Sequence, residues 1–246
     1  MRIVQRLVAL ALLAPAVVLA AGHFVPDPAP IDNHDVASLQ RGARNFVSYC
    51  LSCHSAQYMR YNRLMDLGLT EQQIKDNFLP ADAKVGDPMT VAMRPKDAKQ
   101  WFGAQPPDLS VIARSRGADW LYTYLRTYYR DDSRPTGWNN LAFPSVGMPH
   151  VLWQLQGAQE LEVPKEAAEG EHHGAHAGPK LVLVQPGTLT PKQYDAFVAD
   201  LVNYLVFMGE PARTHRVQIG ILTLIFLGVL LVFAYLLKKE YWKDVH

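Results

Sequence analysis

Apolar positions recur at helical spacing in several stretches of the chain. Between residues 38 and 54, Leu39, Ala43, Phe46, Val47 and Cys50 share one face, with Ser38 placed to cap the helix. Thr70 and Gln73 form a capping box for a second helix, which Pro80 closes. Over residues 119–129, Trp120, Leu121, Tyr124, Leu125 and Tyr128 crowd one side of a third. The strongest start signal is Thr190-Pro191-Lys192-Gln193, which supplies an N-cap, a proline at the first helical position and a glutamine reaching back. The helix it opens buries Tyr194, Phe197, Val198, Leu201, Leu205 and Met208, and ends at Gly209 before Pro211.

Between these elements the pattern lapses. Residues 81–110 follow Pro80 and carry Pro88, Pro95, Pro106 and Pro107, and residues 130–149 are rich in turn formers; both read as loops. Residues 158–179 are low in complexity and hold His172, His173 and His176; a solvated linker is the simpler reading than a metal site. Short β pieces are expected around residues 181–185.

Two apolar segments have lengths set by something other than a globular core. Residues 1–21 begin with Arg2 and Arg6, continue through a short apolar stretch containing Pro15, and end in small residues. That is a signal peptide, with an uncleaved anchor as the alternative. Residues 217–237 carry no charge. At ~1.5 Å per residue they make a helix ~31 Å long, the thickness of a bilayer core. Arg213 and Arg216 precede the run, Lys238, Lys239 and Lys243 follow it, and Tyr235, Tyr241 and Trp242 sit at interface depth. The basic residues lean only weakly towards a cytoplasmic C-terminus. The leader decides the orientation, by sending residues 22–216 across the membrane. The expected organisation is therefore a signal peptide at 1–21, a periplasmic domain at 22–216, a transmembrane anchor at 217–237 and a cytoplasmic tail at 238–246.

Composition adds exclusions. The 5 Trp, 11 Tyr and 9 Phe can furnish a sizeable core. With 24 basic against 23 acidic residues there is no field suited to nucleic acid, and loss of Arg2 and Arg6 moves the net charge only from +1 to −1. There are two cysteines, three apart, so a disulfide framework is not on offer.

Those cysteines lie in Cys50-Leu51-Ser52-Cys53-His54, the C-x-x-C-H pattern of covalent haem attachment. Positions i, i+3 and i+4 share a helix face, so two thiols and an imidazole can address one flat ligand. A thioredoxin-type redox pair would follow a strand rather than a helix, and a structural zinc site would need two further ligands at suitable spacing. His54 is then one axial ligand of the iron. For the other, Met59 and Met65 lie close to the first helix, and Met208 sits on an apolar stripe that core packing explains. Met89 and Met93 fall in the proline-rich loop. Met148, between Gly147 and Pro149, is favoured by its backbone setting, with His150 as the main rival.

The same residues, read in order, resemble the cytochrome c1 family, the haem subunit of ubiquinol–cytochrome c reductase. The likeness covers nearly all the mature chain: Arg41-Gly42; Cys50 to Ser55 with Tyr58 and Leu64; Met93-Arg94-Pro95; Pro106-Pro107-Asp108-Leu109-Ser110; Arg114 and Arg116; Pro135-Thr136-Gly137; Met148-Pro149; and Gly209-Glu210-Pro211 ahead of the anchor. The resemblance implies a mainly α fold, a class I cytochrome c-like haem domain with long loop insertions plus one C-terminal transmembrane helix. In that fold the helix leading to Cys50 crosses the helix after Thr190, with Gly42 at the crossing. It implies one covalent haem c on Cys50 and Cys53, His54 and Met148 as axial ligands, and Arg116 as a haem-propionate partner. Trp120 stands where the family usually has Tyr, so no hydroxyl is carried over there.

The function implied is electron transfer in the bacterial inner membrane, from a Rieske iron–sulfur subunit, beside cytochrome b, to a cytochrome c. No catalytic acid, base or nucleophile is expected in this chain, because the cofactor carries the chemistry. The rivals are another anchored monohaem cytochrome feeding an oxidase or reductase, and a haem-based sensor. The Pro-Pro-Asp-Leu-Ser and Gly-Glu-Pro segments speak against the first, and the short tail after Leu237 against the second.

Overall fold

The computed structural model describes residues 25–162 and 180–244. The leader at 1–21 and the histidines 172, 173 and 176 lie outside the described residues. The first helix, α1 (Val36–Tyr49), turns Leu39, Gly42, Ala43 and Phe46 inward. Its cap is Asp35, which accepts from the Ser38 amide, and not Ser38 as the sequence suggested. Ser38 is instead buried, its hydroxyl accepting from the Asn203 side chain at 3.0 Å. The carboxylate one turn earlier wins the cap because the buried hydroxyl already has a partner.

After the turn that follows α1 come strand β1 (Ala56–Arg60), a 3-10 segment (Tyr61–Leu67) and helix α2 (Glu71–Asn77). Both arms of the Thr70–Gln73 capping box are present. Strand β2 (Pro88–Met89) pairs antiparallel with β1. The proline-rich stretch read as loop contains a helix, α3 (Pro95–Phe102), with Pro95 in its first turn and Gly103 at φ 75° as its C-cap. Those prolines mark helix and turn boundaries here.

Helices α4 (Ile112–Arg116) and α5 (Ala118–Arg126) meet at Gly117, whose φ of 87° reverses the chain between them. The helix expected to reach residue 129 stops at Arg126. Thr127 turns its hydroxyl back on the Thr123 carbonyl, and Tyr128 leaves to pair with Asn140. The result is a small antiparallel sheet of β3 (Tyr128–Arg130) and β4 (Trp138–Asn140), so a strand pair interrupts the second stretch read as loop. A short turn of helix, α6 (Trp153–Gln156), leads into the antiparallel hairpin of β5 (Gly157–Glu162) and β6 (Lys180–Pro186), as expected near 181–185.

Helix α7 (Pro191–Gly209) starts with the expected capping box and carries most of the core: Tyr194, Val198, Leu201, Val202, Tyr204 and Leu205 are buried along it. It packs chiefly on α1 and also on α4 and α5, so the fold is mainly helical around this pair. The last helix, α8 (Arg213–Tyr241), includes a candidate span, Arg216–Tyr241, whose most apolar 18-residue window has a mean hydropathy of 2.7 and none of that window buried. Length, apolarity and exposure together fit a membrane anchor.

The α1–α7 crossing is made at Gly42. A Cβ there would run into the Asp200 carbonyl oxygen and come within 2.7 Å of the Tyr204 Cβ. Beside it, Arg41 holds the Asp200 carboxylate through two hydrogen bonds, of 2.6 and 2.9 Å, and Phe46 tilts against Tyr204 with ring centroids 5.7 Å apart. The Arg41–Gly42 pair thus brings the backbones together and fixes their register. Gly42→Ala is expected to destabilise the domain by roughly 3 kcal/mol, the top of the usual overpacking range, read as a lower denaturant midpoint of the detergent-solubilised chain.

Candidate haem site

The attachment motif hangs from the end of α1. The Phe46 carbonyl accepts from both the Cys50 and Leu51 amides, and there the regular helix stops. One further turn follows, in which the Cys53 and His54 amides donate to the Cys50 carbonyl at 3.1 and 2.9 Å. The i, i+3, i+4 relation therefore survives as an isolated turn rather than as the body of a helix. Both cysteines are free thiols, half-buried.

Burial, with a smaller contribution from Cys53, pushes the Cys50 thiol up to about 12. A redox-active C-x-x-C pair needs a thiolate stabilised at low pH, and this environment does the opposite.

His54 is 8% exposed, and its Nδ1 lies 2.7 Å from the Pro107 carbonyl oxygen. A carbonyl can only accept, so Nδ1 carries the proton and Nε2 keeps the lone pair that a metal would use. Burial lowers the imidazole's affinity for a second proton, against the opposing pull of Pro107 and Asp108, and so favours the neutral ring.

Pro107 is held in place by the segment after it. Asp108 accepts from the Gln57 amide at 2.9 Å and from the Ser110 amide at 2.8 Å. The Leu109 amide donates to the Ser55 carbonyl, and the Ser110 hydroxyl accepts from the Tyr58 amide. The Pro-Pro-Asp-Leu-Ser stretch is thus laced to the residues just beyond the motif, and this lacing orients the imidazole.

The structure sorts the candidates for a second ligand. Met59, Met89 and Met208 are buried in the main core, Met89 accepting a contact from the Tyr204 hydroxyl. Met65 is 49% exposed. Met93 lines a cavity with Cys53, Ser55 and Asp108.

Met148 and His150 remain, in a separate apolar cluster of Tyr128, Trp138, Val146 and Ala158. The Met148 sulfur accepts from the Tyr124 hydroxyl at 3.4 Å, and that oxygen accepts from the Tyr128 hydroxyl at 2.5 Å. His150 stacks on Tyr128 (4.7 Å, 5°) and meets Trp138 edge-on, and its buried Nε2 has no partner among the described residues. Burial pushes its pKa down to about 4.

Arg116 is exposed, with its guanidinium 4.9 Å from the Trp120 ring centroid and 5.8 Å from that of Phe143. Trp120 in turn stacks on Tyr124 at 4.8 Å and 11°. The Tyr124 contact with Met148 was not foreseen; the signal was the i, i+4 pair Tyr124 and Tyr128 upstream of a Gly-Met-Pro loop.

The donor set fits a haem: paired thiols, and an imidazole with its proton fixed on Nδ1. A mainly helical domain, a C-x-x-C-H turn and, among the described residues, one exposed apolar helix are the features of a membrane-anchored cytochrome of the c type. The chain belongs to the Cytochrome C1 family, whose sequence profile it matches over residues 27–169 and 180–245.

Among relatives it is 52% identical to cytochrome c1 of Allochromatium vinosum over 96% of both chains, and 30% identical to cytochrome c1 of Rhodospirillum rubrum over 86% of this chain and 83% of that one. It is also 53% identical, over the full length of both, to a Nitrosomonas europaea protein named ammonia monooxygenase gamma subunit. Among solved structures it is similar to a chain of a hyperthermophilic respiratory Complex III, at 18% identity and a TM-score of 0.42, over 97% of this chain and 92% of that one.

Asp108→Ala removes the acceptor of two amides and frees Pro107 to move. The expected cost is about 2 kcal/mol of stability, with a broadened Soret band, measured by denaturant unfolding and visible spectroscopy of the haem-loaded chain. An unchanged midpoint and band would mean that His54 is oriented by its own backbone.

Proposed function

We propose that this chain is the electron-transfer haem subunit of a ubiquinol–cytochrome c reductase. It would carry one haem c on Cys50 and Cys53, and pass electrons from a Rieske iron–sulfur subunit to a cytochrome c. The observation that carries the reading is the His54 imidazole, held by the Pro107 carbonyl at the end of a C-x-x-C-H turn in a chain of the Cytochrome C1 family. When bound, the haem supplies a one-electron couple at its iron.

The chain's own residues do the rest. Cys50 and Cys53 fix the group in place, and His54 presents Nε2 to one face. Met148 offers its thioether to the other, a ligand that raises the potential relative to a second histidine. Arg116 is proposed as a propionate partner: none of the ion pairs among the described residues uses it, so its charge is available to an anion. Burial of the ligands limits reorganisation when the charge changes.

α8 is proposed to hold the domain against cytochrome b in the bacterial inner membrane, with the haem domain on the periplasmic side and the C-terminus cytoplasmic. Gly220 and Gly228 leave open space where a neighbouring helix can approach. The name of the Nitrosomonas relative favours a second reading, a haem subunit attached to a monooxygenase.

Purification from membranes in mild detergent separates the two. Co-purification with cytochrome b and an iron–sulfur subunit, and loss of quinol-to-cytochrome-c activity when the gene is deleted, is the expected result. Co-purification with a monooxygenase, and intact quinol oxidation after deletion, supports the second.

Ligation is checked by substitution. Met148→Lys is expected to keep the haem attached but lower the reduction potential sharply, whereas Met93→Leu leaves it near the native value. A native potential in Met148→Lys would move the ligand to His150.

A further inference from the structure

Around Met148, two tyrosines are held more tightly than packing alone requires. The Tyr124 carbonyl accepts from Asn140 at 2.7 Å, its ring is covered by Trp120, and its hydroxyl points at the Met148 sulfur. Tyr128 is 1% exposed; its backbone pairs with Asn140, its carbonyl accepts from Gln159 at 3.0 Å and its ring is sandwiched against His150. Its hydroxyl has one recorded partner, the Tyr124 oxygen.

Two buried hydroxyls therefore donate in series, Tyr128 to Tyr124 and Tyr124 to sulfur. The bland alternative is that each simply satisfies a buried polar group. The series ends, however, on a thioether, one of the weakest acceptors in a protein.

We infer that Tyr128 is a positioning residue for the axial-ligand sulfur, acting through Tyr124 to raise the reduction potential; this rests on the reading of Met148 as a ligand. A thioether sulfur has two lone pairs. A hydroxyl on one withdraws density from the other, so the sulfur donates less to an iron and the oxidised state is favoured less. A donor behind that hydroxyl polarises it further, because hydrogen bonds in a chain strengthen one another. The effect of Tyr128 has a single exit, through Tyr124.

The test uses the haem-loaded full chain in detergent, with Tyr124→Phe, Tyr128→Phe and the double variant. Equilibrium redox titration and the near-infrared methionine–iron(III) absorption are the readouts. The expected results are a lower potential in Tyr124→Phe, a smaller drop in Tyr128→Phe, and a double variant that matches Tyr124→Phe alone. Additive drops, or a native potential in Tyr128→Phe, would overturn the relay. Tyr128→Phe keeps the ring on His150, so a lower unfolding midpoint with an unmoved potential would make Tyr128 a packing residue only. Failure of the ligand reading looks different: Met148→Lys then keeps the native potential and near-infrared absorption.

Discussion

The close approach of α1 and α7 at Gly42 is the constraint from which the site follows. α1 ends at Tyr49 and the haem-attachment turn begins at the next residue, so any shift of α1 along α7 moves both thiols and the imidazole together. The register is set sterically by the Asp200 backbone seated where a side chain would be, and chemically by the Asp200 carboxylate gripped by Arg41. Arg41 is over half exposed, so this ion pair adds little energy; its two-pronged geometry instead selects one angle of crossing. The energy comes from the apolar faces beneath, where Phe46, Leu39 and Ala43 meet Tyr204, Leu201 and Val198.

From that fixed point the two sides of the site are supported by different means. The His54 side depends on backbone lacing, in which Pro107 accepts from the ring and Asp108, Leu109 and Ser110 tie the strap to residues 55–58. The Met148 side depends on aromatic packing, in a separate cluster built on the β3–β4 pair. An electron-transfer protein gains from both arrangements. Each removes freedom from a ligand without adding a charge, so little has to rearrange when one electron arrives or leaves.

Much of this was legible in the sequence, and the parts that were not share a cause. The capping boxes at Thr70 and Thr190 are written in adjacent residues and each has its expected place, and the crossing at Gly42, implied by the family resemblance, is present too. Legibility failed where a tertiary partner decided the outcome. Ser38 looked like a cap, but Asn203, far along the chain, claims its hydroxyl and leaves the task to Asp35. The helix through Tyr124 ended early because Asn140 draws Tyr128 into a strand. The prolines between 80 and 107 read as loop, although Pro95 opens a helix. For the second ligand the sequence favours Met148 only through its Gly-Met-Pro setting; its neighbour Tyr124, and the place of Met93 beside Cys53, needed the tertiary structure.

Trp120 shows how a departure from a family pattern can be absorbed. Where relatives of this family usually present a hydroxyl, this chain has an indole, and no hydrogen bond to a cofactor can be carried over to it. The indole instead covers Tyr124 with nearly parallel rings and takes the Arg116 guanidinium on its edge of the cluster. A cation over the ring favours the arginine's position by roughly 0.5–1 kcal/mol at such an exposed site, enough to bias a rotamer but not to hold a fold. The stack on Tyr124 matters more, because it fixes the direction of the hydroxyl that meets Met148. Trp120 thus supports the tyrosine that meets Met148 rather than presenting a hydroxyl of its own.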